Sequence, residues 1–119
     1  IVALKWAKDI GGLKTLIARA DANAAVINGW LDASPFAQNL AKVPGTRSNT
    51  SVCLTLKGDE AVAKKMVKLL EAEGVALDIG SYRDAPPGLR IWCGATVETS
   101  DLKALLPWLD WAHGQATAN

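Results

Sequence analysis

Apolar residues recur at intervals of three and four positions between residues 13 and 31, with charged or polar residues between them. This spacing predicts an amphipathic helix with one buried face. Ser34 and Pro35 supply its stop signal, and Gly11 with Gly12 predicts a break from the segment 2–8, which is also helical in pattern. The stripe of the longer helix is made of Leu13, Leu16, Ile17, Ala20, Ala24, Ile27 and Leu31.

The middle of the chain changes to a period of two. Residues 51–56 alternate apolar and polar side chains, which predicts a strand with one covered face. A short strand and loop is predicted for residues 36–49, where Pro44 and Gly45 form a turn. Residues 75–79 and 89–93 are short and largely apolar, and both are predicted as strands.

Two further helices are predicted from capping signals. Asp59 is a suitable N-cap for a helix over about residues 59–73, which Gly74 ends. The last helix begins near Thr99 or Ser100, and Pro107 is expected to kink or restart it. The order α, β, β, α, β, β, α predicts an α+β fold, with helices packed on one face of a small mixed or antiparallel sheet.

Composition narrows the class of protein. The chain has 119 residues, 50% of them hydrophobic, which predicts one domain over residues 1–119. A formal charge of +1, from 13 basic and 12 acidic residues, argues against binding nucleic acid or an anionic membrane. No apolar run is long enough for a membrane span and no signal peptide is visible, so we expect a cytoplasmic protein. The lone methionine, Met66, and the helical opening predict that further chain precedes residue 1.

The cysteines and the histidine favour structural roles. Cys53 and Cys93 lie on predicted strands without metal-ligand spacing, so we expect buried thiols and no metal site. His113 precedes Gly114 in the last helix, where a surface cation at the helix end is favoured over a catalytic base.

Two arginines are the strongest candidates for chemistry. Arg83 and Arg90 are the only cationic residues between Lys68 and Lys103. Arg90 lies on a predicted strand just after a Pro-Pro-Gly turn, where its planar guanidinium could bind a carboxylate through two hydrogen bonds. The alternative is that Arg90 pairs with Asp84 or is simply solvated on an open sheet face.

Three segments carry a resemblance to a known family. They are RSNTSVCL at 47–54, EGVALDIGSYRDAPPGLRIWCGATVE at 73–98 and LPWLDWA at 106–112. Together they resemble the C-terminal part of phosphoserine aminotransferase, and the likeness extends along nearly the whole chain. The family consists of fold-type I, class V enzymes that use pyridoxal phosphate and are considerably longer than this chain. The resemblance therefore implies the small C-terminal domain of such an enzyme.

The resemblance also implies roles for individual residues. The family transfers an amino group between phosphoserine and 2-oxoglutarate in serine biosynthesis, as a homodimer in the cytoplasm. By motif, Arg90 would bind the substrate α-carboxylate and Arg83 the phosphate or distal carboxylate. Tyr82 would be a third substrate-binding residue, at a position where many relatives have a histidine. The Schiff-base lysine belongs to the upstream large domain, and none of the nine lysines here matches its motif. This chain would thus have no catalytic or cofactor-binding residue and would be inactive alone.

Other functions remain open from the residues. Small α+β sandwiches also serve as amino-acid-binding regulatory modules, and another class V aminotransferase would share the fold. The five tryptophans are a large aromatic set for a small domain. If a large domain is missing, we expect Trp6 and Trp92 to face it rather than to be buried in the core of this chain.

Overall fold

The computed structural model describes residues 1–118 and has two layers. Helices form one layer and a small sheet forms the other. The helices are α1 (Val2–Asp9), α2 (Gly12–Ala33), α3 (Glu60–Ala72) and α4 (Thr99–Thr117), and the strands are β1 (Ala37–Asn39), β2 (Ser51–Leu56) and β3 (Gly88–Trp92). A single 3-10 turn, Pro44–Thr46, lies between β1 and β2. None of these helices combines the length and the apolar character that crossing a bilayer requires.

The sheet is antiparallel in the order β1–β2–β3. Its register pairs Ala37 with Leu56 and Cys53 with Arg90. One face is apolar and lies under α2, α3 and α4, where it forms the core. The sheet contributes Val52, Leu54, Leu56, Leu89 and Ile91 to that core. The predicted α+β fold is confirmed, and its sheet is antiparallel.

Local signals set several element boundaries as predicted. The carboxylate of Asp59 caps α3 by accepting hydrogen bonds from the N–H groups of Ala61 and Val62, at 3.0 and 3.3 Å. Gly11 has a φ of 119°, a left-handed conformation that separates α1 from α2. Ser34 follows the last residue of α2, and its hydroxyl accepts a hydrogen bond from the N–H of Ala37.

The prediction of a strand at residues 75–79 is wrong. The N–H of Val75 donates to the carbonyl of Leu70, so the segment begins as the cap of α3. Asp78 has a φ of 55°, in the left-handed region, which interrupts an extended run. Only an isolated bridge between Gly80 and Leu89 joins this segment to the sheet.

One of the two effects expected of Pro107 does not occur. The last helix does not restart there, because α4 continues from Thr99 to Thr117. Proline leaves the carbonyl four residues earlier without its helical partner. Here that residue is Lys103, which like Pro107 is exposed, so water can hydrate the carbonyl.

The sequence pattern predicted that His113 is a surface cation at a helix end, and this prediction is wrong. The helix continues for four residues beyond it, and its imidazole stacks on Phe36 with ring centroids 3.7 Å apart and an interplanar angle of 3°. Burial lowers the pKa of His113, and the nearby charge of Asp110 only partly opposes this. His113 therefore packs as an aromatic residue, and its burial favours the neutral imidazole.

Asn23 is the buried polar residue of the core and joins α2 to the turn between β3 and α4. Its amide nitrogen donates to the carbonyls of Cys93, Gly94 and Val97, at 3.2, 3.2 and 2.9 Å. Its amide oxygen accepts from the hydroxyl of Thr99. One side chain thus satisfies several polar groups of a turn that packs against the helical layer.

Replacing Asn23 is expected to destabilise the fold strongly. Asn23→Ala leaves the turn carbonyls and the Thr99 hydroxyl without their partner, so we expect a loss of about 3 kcal/mol in the free energy of unfolding. Urea denaturation followed by tryptophan fluorescence measures it. Asn49→Ala is the matched control, because within residues 1–118 the exposed side chain of Asn49 makes a single hydrogen bond, to exposed Asp21, and its cost should stay below about 0.5 kcal/mol. Equal losses in the two variants would contradict this role of Asn23.

The lowered pKa of His113 makes stability depend on pH. The unfolded chain binds the proton with the usual histidine pKa of about 6.5, more tightly than the folded chain does. The free energy of unfolding should therefore fall as the pH is lowered through about 6.5 toward the folded pKa. Urea midpoints at about pH 7.5 and 5.5 measure the slope, which His113→Gln should reduce. A slope that His113→Gln leaves unchanged would assign the effect to other groups.

Candidate anion-binding site

The second face of the sheet carries the predicted site. Alternation along β3 buries Leu89 and Ile91 in the core, so Arg90 and Trp92 project from the opposite face of the sheet. Gly88 begins the strand in very close contact with β2, since a Cβ placed there would lie 1.8 Å from the carbonyl oxygen of Leu54. Glycine at this position lets the two strands pair tightly and fixes the place of Arg90.

The guanidinium of Arg90 is held on two sides. Its Nη2 lies 3.4 Å from the Oδ2 of Asp78, and its Cζ lies 4.6 Å from the ring centroid of Tyr82. Tyr82 is the main cause of a raised pKa for Arg90, and the charge of Asp78 adds to it. The Arg90 side chain is 27% exposed. The site therefore presents a permanent, partly shielded positive charge.

Asp78, and not Asp84, is the ionic partner of Arg90. Sequence reasoning missed it because the pairing depends on how the segment before Gly80 folds back beside β3. The N–H of Arg90 donates to the carbonyl of Ile79 at 2.9 Å, and this bond brings the two residues together. The available signal was an aspartate within the segment predicted as a strand, because aspartate tolerates the left-handed backbone.

Arg90 lines a cavity of about 480 Å³. One wall is the segment 76–79 and Tyr82, another is β3 with Trp92, and α4 closes the end. The cavity combines apolar walls with a few polar groups, as small-molecule sites commonly do. Its remaining lining residues are Ser51, Leu102 and Leu105.

Arg83 occupies a different position. It lies exposed in the loop before β3 and lines a second cavity of about 710 Å³ between that loop and α3. Within residues 1–118, Arg83 forms no ion pair. Tyr82 lines both cavities. The structure therefore brings Arg90 and Tyr82 into contact and places Arg83 at a separate cavity, which Tyr82 also lines.

The two cysteines differ in environment. Cys93 is fully buried, its Sγ contacts the carbonyl oxygen of Asn49, and burial raises the pKa of its thiol. Cys53 is half-buried on the open face opposite Arg90. The prediction of a buried thiol is thus confirmed for Cys93 and wrong for Cys53. Among residues 1–118, no group of three or more potential metal ligands comes together.

The tryptophans are not buried in the core. Trp92 is 59% exposed beside Arg90, and Trp6 is 38% exposed on α1, under the guanidinium of Arg19. Exposure at both positions agrees with the expectation for surfaces that another part of a protein would cover. That they face a second domain stays a prediction.

Comparison with known proteins gives the same picture as the motifs. No family model matches the chain. The phosphoserine aminotransferase of Methanosarcina mazei is 49% identical over 113 residues, which are 95% of this chain and 30% of that enzyme. This chain is similar to one segment of phosphoserine aminotransferase. The predicted resemblance is thereby confirmed, and the chain spans about 30% of the length of the curated relatives that it matches.

Solved structures agree on the fold. Phosphoserine aminotransferase from Bacillus circulans subsp. alkalophilus superposes with a TM-score of 0.82 at 25% identity, over 93% of this chain and 30% of that one. A phosphoserine aminotransferase described for radiation damage of its Schiff base superposes with a TM-score of 0.81 at 21% identity, and covers the same shares. The α+β arrangement is thus that of a segment in longer aminotransferases.

Proposed function

We propose that this chain is the C-terminal small domain of a cytoplasmic, homodimeric phosphoserine aminotransferase. In that enzyme it would supply groups that bind the substrate, while the reaction would be completed by a large domain. The observation that carries the proposal is Arg90, placed by β3 in an open cavity, within a segment 49% identical to a phosphoserine aminotransferase. The reaction would convert phosphoserine and 2-oxoglutarate into 3-phosphohydroxypyruvate and glutamate.

Arg90 is the group we propose for the α-carboxylate. The backbone of Arg90 is held in a paired strand, and its guanidinium packs on the ring of Tyr82. Little side-chain freedom is therefore lost when an anion binds. A planar guanidinium matches the two oxygens of a carboxylate, and such bidentate bonds are stronger than neutral ones. Both substrates carry this carboxylate, so one arginine would serve both half-reactions.

Arg83 is the group we propose for the second anion. Phosphoserine carries a phosphate and 2-oxoglutarate a distal carboxylate, and a separate cation suits either. Arg83 lines its own cavity, and Tyr82 lines both that cavity and the cavity of Arg90. The two charged ends of one substrate would then bind in neighbouring cavities that share the tyrosine.

The residues of this chain do not fit pyridoxal phosphate on their own. The cofactor forms its link through a lysine amine and supplies the electron sink for transamination. All nine lysines are exposed, and none of those described lines the Arg90 cavity. We therefore propose that the cofactor is held by the large domain.

Lysine substitutions of the two arginines test these roles in the full enzyme that contains this segment. Arg90→Lys keeps the charge but loses the bidentate geometry, so kcat/KM should fall about 10- to 100-fold for both substrates. Arg83→Lys should raise the KM for phosphoserine about tenfold. Steady-state kinetics with each substrate varied in turn gives these values.

The matched control is Lys65→Gln, since exposed Lys65 lies on α3 and lines neither cavity. Its kinetic constants should equal those of the unchanged enzyme. Full activity of Arg90→Lys with both substrates would contradict the proposed role of Arg90. A wild-type enzyme without phosphoserine transamination would point to the other candidate, a class V aminotransferase with a different substrate.

The 119-residue chain alone is expected to be inactive and without cofactor. After incubation with pyridoxal phosphate and dialysis, it should show no cofactor absorbance band near the visible region. Calorimetric titration with millimolar serine, phosphoserine or glutamate should give no saturable heat, because the cavity is open on one side. Retained absorbance would contradict the missing-domain proposal, and saturable heat would favour a stand-alone amino-acid-binding module.

A further inference from the structure

The carboxylate of Asp78 contacts the guanidinium of Arg90, the group proposed above for the substrate carboxylate. The contact is a single one of 3.4 Å, from Oδ2 to Nη2, and not a bidentate pair. The Asp78 side chain is 92% exposed, whereas that of Arg90 is 27% exposed. Exposed single-contact ion pairs contribute little free energy, so this one can be exchanged readily.

The geometry around the guanidinium means that the Asp78 contact competes with the binding of another carboxylate to Arg90. Tyr82 covers a face of Arg90, which leaves the edges for anions. A carboxylate binds bidentately to one of two donor pairs, Nη1 with Nη2 or Nε with Nη2. Because both pairs include Nη2, a carboxylate on this nitrogen obstructs one pair and repels an anion at the other.

We propose, on the basis of the role assigned to Arg90 above, that Asp78 is an internal competitor for the substrate carboxylate. It occupies Arg90 while the cavity contains no substrate, and the incoming carboxylate displaces it into solvent. Asp78 lines the same cavity as Arg90, so the displacement takes place within the site. Its effect is to reduce the affinity of Arg90 for anions, which sets the substrate concentration that fills the site.

The backbone conformation at Asp78 allows a substitution that changes only the charge of the side chain. Its φ of 55° is a conformation that asparagine adopts as well as aspartate does. Asp78→Asn therefore removes the charge while keeping the shape and the backbone. Asp84→Asn is the matched control for loop charge, because Asp84 is exposed in the same connection and does not pair with Arg90.

Acetate titration of the 119-residue chain measures the competition directly. The probe is the side-chain Nε–H signal of Arg90 in nitrogen–proton NMR spectra, assigned by its loss in Arg90→Lys. Acetate replaces chloride at constant ionic strength. We expect Asp78→Asn to reach the half-maximal shift at about two- to five-fold less acetate than the unchanged chain, and Asp84→Asn to match the unchanged chain.

Several results would overturn the proposal. An Arg90 signal that acetate does not move, or a midpoint in Asp78→Asn equal to or higher than that of the unchanged chain, would show that Asp78 does not compete. If the midpoint acetate concentration decreased equally in Asp84→Asn, the effect would come from the overall charge of the loop and not from competition at Arg90. The urea midpoint of Asp78→Asn, expected to be unchanged, shows that the variant is folded.

The same variant in the full enzyme links the competition to catalysis. Asp78→Asn should lower the KM for both substrates by about two- to five-fold and leave kcat nearly unchanged. A raised KM would instead make Asp78 a positioning residue for Arg90 and would overturn competition. Because the acetate titration needs no turnover, it decides the role of Asp78 even if the enzyme does not transaminate phosphoserine.

Discussion

The buried amide of Asn23 is the interaction on which the placement of the site depends. It ties the residue after β3, Cys93, to the middle of α2, and it reaches Val97 and Thr99 at the start of α4. A buried amide bonded to backbone accepts little displacement, because any shift leaves polar groups unpaired. The end of β3 is therefore fixed to the helical layer. Arg90 lies on β3, three residues before Cys93, so its backbone is fixed as well, with its side chain on the opposite face.

Covering only one face of the sheet has a cost for ligand binding. Arg90 and Trp92 lie on the face opposite the core and are both partly exposed, so water competes for the guanidinium there. Charge-assisted bonds gain strength when water is excluded, since the effective dielectric constant falls. A site of this kind reaches high affinity only when further walls close it. This physical requirement agrees with a chain that matches about 30% of its curated relatives.

Local chemistry explains which features the sequence predicted. The alternation in β2, the cap at Asp59 and the break at Gly11 depend on neighbouring residues alone, and all three are confirmed. The strand at 75–79 was wrong because its beginning is bonded to α3 and its end turns through Asp78. The roles of Asn23 and His113 depend on contacts with residues seventy or more positions away, which no local pattern contains. Arg83 and Arg90 were found through the scarcity of cations around them, whereas the partner of Arg90 needed the tertiary structure.

The two arginines differ in how firmly they are held, and this difference suits the proposed pair of substrates. Arg90 lies on a paired strand and its guanidinium packs on an aromatic ring, so its position suits a group that does not vary between substrates. Arg83 is exposed in a loop and can adjust its long side chain at modest cost. Phosphoserine and 2-oxoglutarate share the α-carboxylate and differ in the second anion. A fixed arginine for the shared group and an adaptable one for the variable group would let one site accept both without rearranging the sheet.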